Sequence, residues 1–245
     1  MIEFARGFSE DLTELYQQKL KKEVTDFSAA NHFNIDFVGE SLNTILVGEM
    51  HRMYDGELIS LIRSINPGLI VHEALAAYRF DPKQNQLFIQ EGRMVVEEEH
   101  RDWGELLRGK RSDTIGRMPF LRTSAELGVP IIGADFSFYE ERDYLERAYP
   151  ASVLHGLEVA LNTDEEKYVQ MLDALTRDAR DSLMSRIVRD NLGSKSSPTI
   201  AILGFMHAYD ISVRGGLNNY ALIEAIPSDI SASARARYFM RRSMA

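Results

Sequence analysis

The stretch TILVGEMHRMYDGELISLIRSINPGLIVHE, residues 44–73, decides the fold. Its first four residues, Thr44-Ile45-Leu46-Val47, are short and continuously apolar, as a strand buried on both faces of a parallel sheet must be. Gly48 ends the run. Leu58, Ile59, Leu61, Ile62 and Ile65 then recur at helical spacing, and Asn66-Pro67-Gly68 closes that helix. Leu69-Ile70-Val71 begins a second strand that runs into His72-Glu73. Strand, helix and strand within this length form a βαβ unit, for which a right-handed crossover is expected.

Working outward, apolar residues from Ser9 to Ala30 fall three and four apart and predict a helix with Ser9 as its N-cap. Residues 74–127 carry an acidic patch (Glu97, Glu98, Glu99) and the single Trp, Trp103, and are expected to form a helical insertion or lid. That insertion should end in a helix over 117–127, closed by Gly128. A third strand is expected at 129–133, leading to Ala134-Asp135. A helix over 139–149 meets Pro150. The longest helical signal runs over 163–192, with Thr163 and Glu166 as a capping box and Gly193 after its end. Residues 199–203 give a fourth buried strand ended by Gly204, and a last strand is expected at 220–226. The basic end RARYFMRRSMA reads as a peripheral helix or tail. The expected fold is therefore a single α/β domain over residues 1–245. It has a mostly parallel central sheet flanked by helices and a helical excursion between the second and third strands.

Composition narrows the chemistry. The 245 residues hold 28 Lys+Arg against 37 Asp+Glu, a net charge of −9, with 44% hydrophobic residues. That is a globular composition, and an acidic chain without a basic stripe is a poor partner for nucleic acid. The start of the chain becomes charged before an apolar core of signal-peptide length forms, and no run has spanning length, so a cytoplasmic protein with no membrane partner is expected. With no Cys, any metal has to be held by imidazole nitrogen and carboxylate oxygen.

One pattern occurs twice. Gly48-Glu49-Met50-His51 and Gly204-Phe205-Met206-His207 each follow a buried strand. Glycine permits a sharp exit, and the His then stands beyond the carboxyl end of the strand, where open α/β sheets bind ligands. Either motif alone arises often by chance, and two strand-end histidines bonded to loop backbone are the plain alternative. His72 and Glu73 alternate across their strand, so one of them should face the pocket. Glu73 is the better candidate, as a metal ligand or a general base, with a carboxylate capping the next helix as the plain alternative. Glu49 reads as ligand, base or first-turn acid, and Asp135 is a further strand-end acid. Arg180, followed by Asp181, suits a bidentate hold on a carboxylate or a developing oxyanion, although by helical position alone Arg177, Arg180, Arg186 and Arg189 more often form a solvated, salt-bridged face. Tyr209 and Asp210 follow the second motif closely. His32, His100 and His155 share no geometry and read as bystanders. Nucleophile-elbow, Walker A and dinucleotide-binding motifs are absent from the sequence.

With GEMH and GFMH at the two ends, Glu73 in IVHEA, and Arg180-Asp181-Ser182-Leu183-Met184 between them, the chain resembles a known superfamily. It unites TraB/PrgY proteins, Tiki proteins, erythromycin-esterase-like enzymes and ChaN-like haem-binding lipoproteins. The resemblance spans residues 44–209. For the Tiki branch it implies a peptidase using Mn²⁺ or Co²⁺, with His51, His207 and Glu73 around the metal. The esterase branch implies ester or lactone hydrolysis by His-activated water, and the ChaN-like branch implies haem binding. The chain departs from the Tiki and ChaN branches in lacking a signal peptide, anchor or lipobox Cys.

A soluble hydrolase is therefore expected, cleaving an ester or peptide bond in a small-molecule or peptide substrate. Water would be activated by His51, His207 and Glu73, with Glu49 assisting, Arg180 on the oxyanion and Mn²⁺, Co²⁺ or Zn²⁺ as the metal. The alternative is a non-catalytic haem-like binding module in which Met50 and Met206 flank the two histidines.

Overall fold

A computed structural model describes residues 2–50, 54–75, 78–83, 86–91, 94–98, 118–136, 138–227 and 233. The first helix, α1, covers Ile2–Ala30, so Ser9 lies inside it and is not its N-cap. Next come β1 (Asn34–Val38), β2 (Thr44–Glu49), α2 (Asp55–Ile65) and β3 (Leu69–His72), with a short 3₁₀ turn over Glu73–Leu75. Three strands follow, β4 (Tyr78–Asp81), β5 (Gln86–Glu91) and β6 (Met94–Glu98). Then come α3 (Met118–Leu127), β7 (Ile131–Gly133), α4 (Phe138–Ala148), α5 (Ala151–Thr163) and α6 (Glu165–Asp190). The described chain ends in β8 (Thr199–Gly204), α7 (Phe205–Arg214) and β9 (Tyr220–Ala225).

The strands form one nine-stranded sheet in the order β1-β9-β2-β8-β3-β7-β4-β5-β6. The five central strands, β9 to β7, run parallel, and β1 on one side and β4-β5-β6 on the other extend them antiparallel. The fold class is the one expected. Residues 44–49 and 199–204 lie at the centre of the sheet because their uninterrupted apolar runs bury on both faces. Two cores result. One, with Ile45, Val47, Ile62, Ile202 and Ile223, lies beneath α1, α2 and α3. The other, with Leu46, Val71, Leu203 and Ala208, lies beneath α6 and α7 through Met184, Val188 and Ile211. Among the described residues, no helix is long and apolar enough to cross a membrane.

Several expectations need correcting. Within the insertion over 74–127, the described residues are helical in the 3₁₀ turn that ends at Leu75 and in α3 at its end. Its first half is the antiparallel extension β4-β5-β6, and the acidic patch at Glu97 and Glu98 belongs to the edge strand, while Trp103 lies outside the described residues. β1 was not expected at all, nor was α7. The long helix starts one step later than its capping box suggested: Asp164 is the N-cap and accepts the Lys167 N–H, while Thr163 ends α5 and donates to the Val159 carbonyl. The basic end 235–245 lies outside the described residues.

Candidate functional site

The βαβ unit does not join neighbouring strands, because β8 lies between β2 and β3. The chain returns from the β7 side to insert β8, then moves on to β9. That reversal makes a topological switch point, and such sheets ordinarily bind ligands beyond the carboxyl ends of the strands there. β3 delivers Glu73 there, β7 delivers Asp135, and β8 delivers His207.

His207 is placed by an abrupt change of element. Gly204 ends β8 and is itself the N-cap of α7, without a side-chain cap. Glu73 supplies the missing acceptor: its Oε2 takes the Gly204 backbone N–H at the helix start. Gly204 also makes this approach possible, since a Cβ there would sit 3.2 Å from Glu73 Oε2 and 3.4 Å from His207 Cδ2. His207 falls in the first turn of α7, with its Nε2 3.5 Å from Glu73 Oε1. Its Nδ1 is in short contact with Asp181 Oδ1 on α6.

Arg180 reaches the other side of Glu73. It lies in the row Thr176, Arg180, Met184, Val188, four residues apart on the buried face of α6. Its neighbour Asp181 is turned by about 100° and so reaches α7. Arg180 Nη2 donates to Glu73 Oε1 at 3.1 Å, and Nε lies 2.8 Å from Asp135 Oδ1 and 3.0 Å from Oδ2, with Nη2 also on Oδ2. The other helix arginines behave as a solvated face: Arg177 pairs with Asp173, and Arg186 and Arg189 are exposed.

A continuous chain thus runs Asp135–Arg180–Glu73–His207–Asp181. It is sheltered: the side chains of Arg180 and His207 are 21% and 12% exposed. Burial opposes a charge on His207, but the Asp181 hydrogen bond and the charges of Glu73 and Asp181 outweigh both burial and Arg180, and its pKa is held above the ordinary value. Burial lowers and the Asp135 and Glu73 contacts raise the Arg180 pKa, with a net rise. Glu141, on α4, is pushed up by burial and by Asp135, against the pull of Arg180.

The remaining sequence candidates, His51 aside, fall elsewhere among the described residues. His51 lies outside the described residues, so its place is not described. Glu49 is buried at the end of β2, opposite Gly204 in register. Alternation puts it with Ile45 and Val47 on the α2 face, away from α7. His72 is buried on that same face, its ring 4.3 Å from Phe120. Of the pair at the end of β3, Glu73 is the one that meets His207. Met50 is 37% exposed. Tyr209 stacks on Phe205, and Asp210 faces Arg214 at 3.5 Å. Asp210 and Asp181 line a groove of about 350 Å³ between α6 and α7. His155 faces Glu158 on the surface, and His100 is outside the described residues.

Two members of the chain had no assigned role in the sequence reading, Asp181 and Asp135. Asp181 had a readable signal. It directly follows Arg180 and sits three residues before Met184, within a helix whose apolar positions mark the buried side.

The described residues do not fit a divalent ion as they stand. Glu73 already serves a guanidinium and a backbone N–H, and among the described residues no group of three or more His, Asp or Glu side chains is arranged to hold a metal. An Asp-supported imidazole is the ordinary outer support of a metal-bound His, but a guanidinium 3.1 Å from the carboxylate competes with any cation. What the arrangement can do unaided is move a proton at Nε2 of an oriented imidazole, beside a carboxylate and a fixed positive charge. Comparison with protein-family models, curated proteins and solved structures finds no match to this chain.

Proposed function

We propose that the protein is a hydrolase that cleaves an ester or peptide bond in a small-molecule or peptide substrate, acting in the cytoplasm. The observation that carries this reading is the Asp181–His207–Glu73 chain beside Arg180. With the Nδ1 proton directed at Asp181, neutral His207 keeps Nε2 as an acceptor for the proton of an attacking water. Glu73, whose Oε1 lies 3.5 Å from Nε2 on the same side, accepts the water's other hydrogen and orients it. Arg180 meets the charge that develops on the carbonyl oxygen. Protonated His207 then returns its proton to the leaving group, so the imidazole ends each cycle as it began. A divalent metal would need His51 as an additional ligand, and no step above depends on one.

The test is a panel of chromogenic esters and short peptides with wild type and His207→Ala. Loss of a proton-transfer group is expected to lower kcat by about 10²–10⁴-fold. Unchanged hydrolysis in His207→Ala would overturn the assignment.

A further inference from the structure

We propose that Asp135 is the positioning residue for Arg180, turning its guanidinium so that Nη1 is the arm left for the substrate's oxyanion. This inference rests on the hydrolase reading of the site. Three observations support it. Asp135 takes Arg180 by both carboxylate oxygens, the fork geometry that fixes a guanidinium plane as well as its charge. Asp135 is itself held, since the Phe136 backbone N–H donates to its Oδ1 at 2.7 Å. And the hydrogen bonds of Arg180 are made by Nε and Nη2, so that among the described residues Nη1 donates to none. The side chain is about one-fifth exposed, so the guanidinium is not sealed off from solvent.

The geometry also explains why one Arg faces two carboxylates. Glu73 needs a cation near the water it orients, but Glu73 alone, through a single 3.1 Å contact, leaves the guanidinium free to swing. Asp135, at the end of the neighbouring strand β7, removes that freedom. A lysine at position 180 would keep the charge and lose the fork. Asp135 touches no reacting atom in this scheme. Its effect passes through Arg180.

Chemical rescue separates this role from a merely structural one. Arg180→Ala is expected to lower kcat by about 10²-fold with little change in KM. Added guanidinium chloride, against sodium chloride at equal ionic strength, should then restore roughly a tenfold share of it by occupying the vacated place. In Arg180→Ala/Asp135→Asn the rescue should vanish. Asp135→Asn alone should lower kcat rather than raise KM, and adding it to Arg180→Lys should cost nothing further, because the fork is already gone. Rescue that persists without Asp135, or an Asp135→Asn chain with unaltered kcat, overturns the proposal. Should Asp135→Asn fail to fold, Asp135→Glu replaces it, since a carboxylate one methylene longer keeps the charge while moving the fork. A calorimetric titration of Arg180→Ala with guanidinium keeps the two readings apart. Saturable binding that Asp135→Asn removes supports the positioning role even if no substrate is hydrolysed, and binding that is absent or indifferent to Asp135 overturns it.

Discussion

The two Gly-x-x-His segments are nearly identical as text and different as structure. After β8, the glycine is the helix N-cap and α7 begins at once, carrying His207 back over the sheet end into contact with Glu73 and Asp181. After β2, the strand continues through Gly48 to Glu49, and α2 starts only at Asp55. The glycines serve different ends. A Cβ on Gly48 would meet the Phe205 Cα at 3.1 Å and the Ala208 Cβ at 3.3 Å, so Gly48 lets α7 lie on the sheet. A Cβ on Gly204 would meet the tip of Glu73. One glycine seats the helix that carries the histidine, and the other lets the carboxylate reach it. Where the next helix starts decides what the motif becomes.

The largest effect that would sharpen this contrast comes from Glu73→Gln. The amide oxygen can still accept the Gly204 N–H, so the start of α7 is preserved, while the charge facing Arg180 and His207 is lost. A kcat reduced by about 10²-fold with an unchanged melting temperature is expected. A parallel fall in stability would mean that the charge of Glu73 serves chiefly to hold Arg180 and His207 in the fold.

Next come the glycines, exchanged in role. Gly204→Ala should cost little stability, because the obstructed atom is the end of a flexible side chain, yet lower kcat about tenfold by displacing Glu73 from His207. Gly48→Ala presses on helix backbone instead, and about 1–3 kcal/mol of destabilisation in urea unfolding is expected. If Gly204→Ala proves the less stable and Gly48→Ala the less active, the assigned roles are reversed.

The same contrast shows what the sequence makes legible. The five parallel strands announce themselves because burial on both faces demands unbroken apolar runs, as in Ile200-Ala201-Ile202-Leu203. β1 is an edge strand whose side chains are mostly exposed, so Asn34-Ile35-Asp36-Phe37-Val38 carries no such demand. α7 escapes notice because Gly204 caps it without a side chain, and the acceptor comes from Glu73, 131 residues away in sequence. Arg180 is legible as a candidate through its place in the helix, whereas its partner Asp135 depends on β3 and β7 being neighbours, which only the sheet order reveals. His207 and Glu73 could be named from strand ends alone. That Asp181 takes the Nδ1 side of the imidazole could not, since it depends on how α6 lies against α7.

Removal of divalent ions sharpens the comparison from the β2 side. Dialysis of the wild type against a chelator is expected to leave hydrolysis unchanged, because Glu73 is engaged by Arg180 and Gly204. Loss of activity that Mn²⁺ restores in wild type but not in His51→Ala would instead make the two motifs partners in one centre.

The smallest expected effect concerns pH, and it sets activity against stability. The His207 pKa is held above its ordinary value by Asp181 and Glu73 despite burial. Water activation needs the neutral imidazole, so kcat/KM should rise with pH through a midpoint above that of an ordinary histidine. Asp181→Asn removes one of the groups that hold it up, and the midpoint should move down. Stability runs the other way. A group whose folded pKa exceeds its unfolded one binds a proton more tightly when folded, so its contribution is complete below the unfolded value and is lost as pH rises through the folded value. Urea unfolding of wild type and Asp181→Asn across that interval should therefore show the wild-type advantage shrinking as its activity climbs. An advantage that stays constant with pH would mean that Asp181 holds His207 by geometry alone and that the proton is not shared between them.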